Sequence, residues 1–380
     1  MRSSAITPPA SSGWSEGIIG MRFGLFAATF RMPEHSLRVA HEWDLQVLRW
    51  ADELGFTEAW IGEHYTLGWE PLPAPDLLIA TALAQTSRIR LGPAAHLLPY
   101  HHPAALAARI AWLDQVAEGR YMVAFGAGSY ASDQQLFAST GPEENARKAR
   151  EAQEIILGLW RAWARGEAYR FEGEHWSVDS PAYDETLAGP HLRPFRGDHP
   201  EIAVVGASPA SSSLRRAGAQ GFIPMTVVHS PSYAATHWDV YAEGAAEAGR
   251  AAHRDIWRVS HPLFVADTDE EARRRSLGGA MGRTYREWIL PHAERRGVLP
   301  HFAPDIAATG PVTVDRLAET WLIGSPDTVA NGIVALYEQT GGFGTLLASV
   351  YDYSDDPEAY RRSLELLATE VLPLVHERLA

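Results

Sequence analysis

The chain contains no cysteine among its 380 residues, which excludes disulfides, thiolate metal sites and cysteine nucleophiles. It also lacks any run of about 18 apolar residues, the length a membrane-spanning helix needs. Positive charge is scarce: 33 Lys and Arg stand against 47 Asp and Glu, for a formal net charge of −14. No Lys/Arg stripe offsets that deficit, so a nucleic-acid surface is not expected. Three catalytic signatures are missing as well. There is no G-x-S-x-G elbow for a serine hydrolase and no H-E-x-x-H helix for zinc. Nor does a G-x-G-x-x-G follow the first strand to mark a dinucleotide-binding sheet; that strand runs out into Ala27-Ala28-Thr29-Phe30 instead.

What is present reads as a globular chain. A content of 46% hydrophobic and 21% charged residues is ordinary and sufficient for a large core. Residues 1–20, rich in Ser, Pro and Gly, have no basic region followed by an apolar one. They read as a flexible N-terminal extension rather than a secretory signal, with Met21 as an alternative start. A cytoplasmic location is compatible with the lack of cysteine.

From Met21 onward, short apolar strand signals alternate with helical periodicity. Strands are expected at 22–28, 57–61, 89–98, 120–126, 201–206, 222–228, 257–266 and 344–350. Between the first two, apolar residues recur at helical spacing from Leu37 to Leu54 (Val39, Trp43, Val47, Leu48, Ala51), and Gly55 stops the helix. Further helices are expected after each later strand, including 269–288. Eight strand–helix units in one continuous chain predict an α/β fold, a (β/α)8 TIM barrel forming a single domain over 21–380. Two stretches, about 167–199 and 289–315, read as irregular inserts.

Chemistry is expected where barrel strands end. Past the second strand the chain reads Gly62-Glu63-His64-Tyr65, placing an imidazole of near-neutral pKa at such a position. His64 is therefore the catalytic candidate. Past the fifth strand comes Gly206-Ala207-Ser208-Pro209-Ala210-Ser211-Ser212-Ser213, opening a helix. Four serines around one turn exceed what an N-cap needs and predict a phosphate site. His96, His101 and His102 could suggest a metal, but no H-x-H pair ends the first strand, and no metal is expected.

The order of these pieces resembles the bacterial luciferase-like family of flavin-dependent monooxygenases. The motifs are Met21-Arg22-Phe23-Gly24-Leu25-Phe26, Ala51-Asp52-Glu53-Leu54-Gly55-Phe56 and Trp60-Ile61-Gly62-Glu63-His64. They continue with Arg90-Leu91-Gly92-Pro93-Ala94-Ala95, Leu113 to Arg120, the Val204 to Ser213 loop and Leu322-Ile323-Gly324-Ser325-Pro326-Asp327. The resemblance implies that reduced FMN, supplied by a separate flavin reductase, binds at the barrel mouth, adds oxygen at its C4a carbon and oxygenates a small or medium apolar substrate. His64 matches the family's active-site histidine. Ala94 and Ala95 match the strand end against the isoalloxazine, where relatives often carry a non-prolyl cis peptide. Gly206, Ala207, Ser208 and Ser211 match the phosphate loop, and Gly128 and Tyr130 sit where relatives contact ligand or phosphate. Tyr65 and His96 are expected at the substrate wall. The resemblance also implies a homodimer, and a mobile lid at 289–315.

Two departures from luciferase stand out. Gly126 and Ala127 occupy the places of its reactive cysteine and an arginine near the fourth strand's end, and the pattern identifies no basic residue as the replacement. His64-Tyr65 also replaces a double histidine, so ordinary oxygenation is expected rather than light. Two other readings remain open at this level: a deazaflavin-dependent oxidoreductase of the same fold, and a non-catalytic flavin-binding paralogue.

Overall fold

The computed structural model describes residues 20–186, 189, 192–227, 230–299 and 303–380. Apart from its last position, the expected N-terminal extension lies outside the described residues. The strands in chain order are β1 (Arg22–Ala27), β2 (Glu58–Ile61), β3 (Arg90–Pro93), β4 (His96–Leu97), β5 (Met122–Gly126), β6 (Tyr169–Glu172), β7 (Ser177–Ser180), β8 (Glu201–Gly206), β9 (Ile223–Thr226), β10 (Arg258–His261), β11 (Leu263–Val265), β12 (Leu322–Gly324) and β13 (Thr345–Ser349).

Nine of these strands form one parallel sheet in the order β3-β2-β1-β13-β10-β9-β8-β5-β4. β3 and β4 are two pieces of one strand, interrupted at Ala94-Ala95, and Leu91 bridges in parallel to Tyr121 beside β5. The two ends of the sheet are thus neighbours, and the sheet closes into the expected eight-membered barrel. Its registers are parallel throughout, for example Phe26 against Trp60 and Phe26 against Ser349.

The helices that position the site are α1 (Leu37–Leu54), α2 (Pro75–Leu83), α3 (Pro103–Val116), α4 (Ala131–Leu136), α5 (Pro142–Arg165), α6 (Ser212–Gln220), α7 (Pro231–Glu247), α8 (Asp269–Leu277), α9 (Ala280–Thr284) and α10 (Leu290–Arg295). α1 forms because its apolar residues from Ala40 onward share one face, with Leu37 and the expected face residue Val39 left exposed, and because the Ser36 hydroxyl accepts from the Val39 N–H at 3.2 Å. Trp43, Leu45, Val47, Leu48 and Ala51 bury that face, each large side chain contributing about 1.5–3 kcal/mol. The same logic holds around the ring, so an outer core lies between sheet and helices. A smaller inner core fills the barrel, with Trp60, Met122, Ala203, Met225 and Leu347 among its members. The strand-entry end is plugged by a buried ion pair, Glu58 accepting from Arg258 Nε and Nη2 at 2.9 Å each.

Four expectations change. The insert at 167–199 contains an antiparallel hairpin, β6 with β7, because Phe171 and Val178 alternate with exposed residues and pair in register. The seventh strand, expected unbroken over 257–266, divides at Pro262, which lacks the N–H a continuous ladder requires. β10 stays in the barrel, and β11 pairs instead with β12. The helix expected over 269–288 breaks at Gly278-Gly279. Beyond it, α9 and a π-helical turn at Tyr285–Ile289 run directly into α10, so the 289–315 insert begins as helix.

Candidate active site

At the exit end of the barrel strands lies a cavity of about 970 Å³. One end of it is polar. The loop after β8 presents Ser208 and Ser211, and Ser213 follows in the first turn of α6. The Ser211 and Ser213 hydroxyls are 2.8 Å apart. Beneath this loop His237 of α7 lies buried: its Nε2–H donates to the Ser208 carbonyl at 2.7 Å, and Nδ1 lies 3.0 Å from the Thr226 hydroxyl. Burial lowers the His237 pKa, so it is a neutral anchor. Gly206 makes room for it, since a Cβ there would stand 2.5 Å from Leu214 Cδ1 and 3.0 Å from the imidazole.

Two arginines face the same end, Arg150 from α5 and Arg216 from α6. Neither has an ion-pair or hydrogen-bond partner among the described residues. The Arg216 pKa is lowered by burial first and by the Arg150 charge second. A like-charge pair beside three hydroxyls and an open helix N-terminus forms a donor set for a divalent anion such as a phosphate monoester. The sequence pattern gave no sign of either arginine, because they lie 66 positions apart on different helices.

The cavity walls are largely apolar, with Leu98, Phe125, Val204 and Val227 among them, and its far end reaches Gly128 and Tyr130. Gly128 adopts φ +73°, and a Cβ there would meet the Tyr100 hydroxyl at 2.7 Å. Asn145 fixes this corner, its Nδ2 donating to Tyr100 Oη and the Ala127 carbonyl at 2.9 Å each. The chain after α10 covers this side through Arg296 and Val298. The Arg296 guanidinium lies 4.7 Å from the Tyr130 ring centroid. The peptide Ala94-Ala95 is cis, as expected from the resemblance. Both alanines are buried in the inner core, next to the cavity rather than in its wall.

His64 stands behind Tyr130, the rings edge-to-face at 5.0 Å. Its two nitrogens face two carboxylates: Nε2 is 3.3 Å from Glu70 Oε2, and Nδ1 is 3.9 Å from Asp133 Oδ2. Burial disfavours the imidazolium, but Asp133, Glu70 and Glu63 outweigh it and raise the His64 pKa. For Asp133, burial acts upward, yet the nearby His64 imidazole and the bonds from Thr66 prevail and lower its pKa. Glu70 differs, since burial dominates and raises its pKa despite His64 and Trp288.

Tyr65 and His96 were expected at the substrate wall. The structure turns both toward Glu63 instead. Glu63 Oε2 accepts from His96 Nδ1 at 2.8 Å, and Oε1 accepts from His101 Nε2 at 2.7 Å and Tyr65 Oη at 3.0 Å. His96 is 1% exposed and also meets the Tyr121 hydroxyl. Burial pushes the Glu63 carboxyl up, but these imidazole bonds bring it down to about 2. Glu63, His96 and His101 lie close enough to hold a metal ion. Their facing atoms already satisfy one another, and Arg109 approaches His101 Nδ1 at 3.4 Å.

Comparison with known proteins matches residues 21–343 to the luciferase-like monooxygenase family. The chain is 37% identical to 3,6-diketocamphane 1,6-monooxygenase of Pseudomonas putida, covering 94% of this chain and 99% of that protein. It is 35% identical to 2,5-diketocamphane 1,2-monooxygenase 1 of the same organism, covering 93% and 99%. Among solved structures it resembles the oxygenating constituent of 3,6-diketocamphane monooxygenase from Pseudomonas putida. That protein is described as a type II Baeyer–Villiger monooxygenase in complex with FMN. The TM-score is 0.87, over 94% of this chain and 99% of that one, at 37% identity.

Proposed function

The chain belongs to the luciferase-like monooxygenase family and is a flavin-dependent monooxygenase that uses FMN; from that premise we propose the rest of its activity. It is the oxygenating component of a two-component system, and it inserts oxygen next to the carbonyl of a small or medium apolar alicyclic ketone. One observation carries this reading: a single cavity joins a serine- and arginine-lined anion end to apolar walls and ends beside the aromatic shield of His64. Its volume of about 970 Å³ is at the upper end for ligand sites, which suits a flavin together with a compact substrate.

The residues fit FMN. Ser208, Ser211, Arg150 and Arg216 hold the phosphate, and Gly206 and Ala207 keep the loop backbone close to it. Gly128 and Tyr130 would face the ring system from the cavity wall, with Ala94 and Ala95 packed in the inner core. Bound reduced FMN supplies the two electrons that activate dioxygen, one oxygen atom passing to substrate and the other leaving as water. His64 is the proton-handling residue. Its two carboxylate neighbours favour the protonated ring, which then has an N–H to give. Arg296 and Val298 keep bulk water from this end of the cavity.

The description of the solved relative as an oxygenating constituent supports a separate reductase as the source of reduced FMN. We place the enzyme in the cytoplasm beside that reductase. A homodimer is supported by exposed apolar side chains on α2 and α3: Leu77, Trp112 and Val116 are 69%, 58% and 58% exposed. The described residues contain no helix long and apolar enough to cross a membrane.

The deciding experiment supplies reductase-reduced FMN, a camphane-type diketone and ¹⁸O₂. The expected product is a lactone carrying one ¹⁸O, formed by the native protein and lost in a folded His64→Ala variant. Flavin reoxidation with no product from a panel of mono- and bicyclic ketones would overturn the reading.

A further inference from the structure

Glu70 is a buried carboxylate that the reaction as described does not use. It lies in the loop after β2, six positions beyond His64. Its Oε1 accepts from the Trp288 indole N–H at 2.7 Å, across 218 residues of chain. Its Oε2 faces His64 Nε2 at 3.3 Å. Trp288 belongs to the π-helical turn at Tyr285–Ile289, a distortion that recurs at functional sites. Its indole is held on two sides, stacked with Trp69 (6.4 Å, 10°) and against His292 (4.6 Å, 32°). A carboxylate buried here without a charged partner would cost several kcal/mol. Its partners are one indole from the covering segment and one imidazole from the active site.

We propose that Glu70 is a positioning residue for His64: the Trp288 N–H pins one carboxylate oxygen, which turns the other onto Nε2 and fixes the charge and orientation of the imidazole when residues 285–299 are seated over the cavity. The proposal rests on the reading of His64 as the proton-handling residue. The covering segment thereby does two things at once. It shields the cavity through Arg296 and Val298, and through Trp288 it holds the carboxylate that faces His64 Nε2. Unseating Trp288 leaves Glu70 with a weaker hold on its charge, and the imidazole loses its nearer counter-ion.

Several other groups face His64 and enter its titration. Glu63 comes from its own loop, and Asp133 and Tyr130 from α4 and the residue before it. His292 comes from the covering segment, whose Arg296 lies over the Tyr130 ring. Asp133 Oδ1 is already held by the Thr66 N–H at 2.9 Å, and its Oδ2 and His64 Nδ1 lack hydrogen-bond partners. Asp133 thus sits at ion-pair range on the opposite side, and Glu70 is the nearer of the two carboxylates. His292 is pushed toward its neutral form, chiefly by burial and then by Arg296, Arg295 and His64, so it adds no competing charge.

The test follows the His64 imidazole by NMR titration in the flavin-free protein, with the resonance assigned by His64→Gln. Wild type is expected to titrate above the ordinary histidine value. Glu70→Gln keeps the shape and the acceptor for Trp288 but removes the charge. It is expected to lower the His64 pKa by about one unit. Trp288→Phe should move it the same way by less, and Glu70→Asp should recover part of the loss. In turnover, Glu70→Gln should reduce kcat with little change in the substrate KM, its pH–rate limb moving by the same interval as the NMR titration. An unmoved His64 titration in folded Glu70→Gln and Trp288→Phe would overturn the proposal. A moved titration combined with full activity of His64→Ala would instead sink the role given to His64, and with it the catalytic meaning of Glu70.

Discussion

Removing the Arg150 and Arg216 side chains should separate FMN from riboflavin. The two guanidiniums face one end of the cavity with no carboxylate partner among the described residues, and the Arg216 pKa is lowered by the partial burial of its side chain and by its neighbour. Without a ligand they repel. Arg150→Ala should therefore leave the melting temperature of the flavin-free protein unchanged or slightly raised, the opposite of what loss of a structural ion pair would do. With ligand the sign reverses. A hydrogen bond to a charged group contributes about 1.5–3 kcal/mol when well enclosed, but both arginines are solvent-exposed, and exposed pairs fall to about 1 kcal/mol. Each substitution should thus weaken FMN binding about fivefold, and the double variant about thirtyfold.

Riboflavin, which has the same ring system and no phosphate, should bind wild type and double variant alike. Raising salt should weaken FMN binding to wild type more than to the double variant, because screening acts only where the charges remain. Flavin fluorescence quenching against protein concentration, at two salt concentrations, measures all four affinities. Equal affinity of wild type for FMN and riboflavin would refute the assignment outright. An equal loss of both flavins in the double variant would show that the arginines shape the cavity rather than bind an anion.

Three further outcomes follow from buried charge and exposed surface. His261 is buried, its Nε2–H donating to the Thr320 carbonyl at 2.8 Å, and burial depresses its pKa to about 4. Its folded value lies below its unfolded one, so its contribution is complete above about pH 6.5 and is lost as pH falls toward 4. Urea unfolding should show about 2 kcal/mol of pH-dependent loss between pH 7 and 5 from this residue, absent in His261→Gln. Glu58→Gln strands the Arg258 charge inside the barrel and should destabilise by about 3–5 kcal/mol, read from denaturant midpoints; a change below 1 kcal/mol would mean that water reaches the pair. Trp112→Glu places a charge beside exposed Val116 on α3; if the proposed homodimer uses this face, sedimentation should find a dimer for wild type and monomer for the variant.

The sequence by itself determined the barrel and the strand ends at which its chemistry is expected. Strand and helix signals are local: the apolar spacing from Val39 to Ala51 makes a helix whatever surrounds it, and eight such alternations leave few ways to close. The Gly206–Ser213 loop and His64 could be singled out as candidates because both lie just past a strand end, where a parallel barrel exposes loop groups. Tertiary structure decided what those groups meet. Trp288 reaches Glu70 across 218 residues, and Arg150 joins Arg216 because α5 and α6 flank adjacent strands β5 and β8, a juxtaposition that no local pattern encodes. Burial was likewise invisible in the chain. His96 looked like a cavity residue by position, yet it is buried against Glu63, whose charge is tolerable inside the protein only with hydrogen bonds on both of its oxygens.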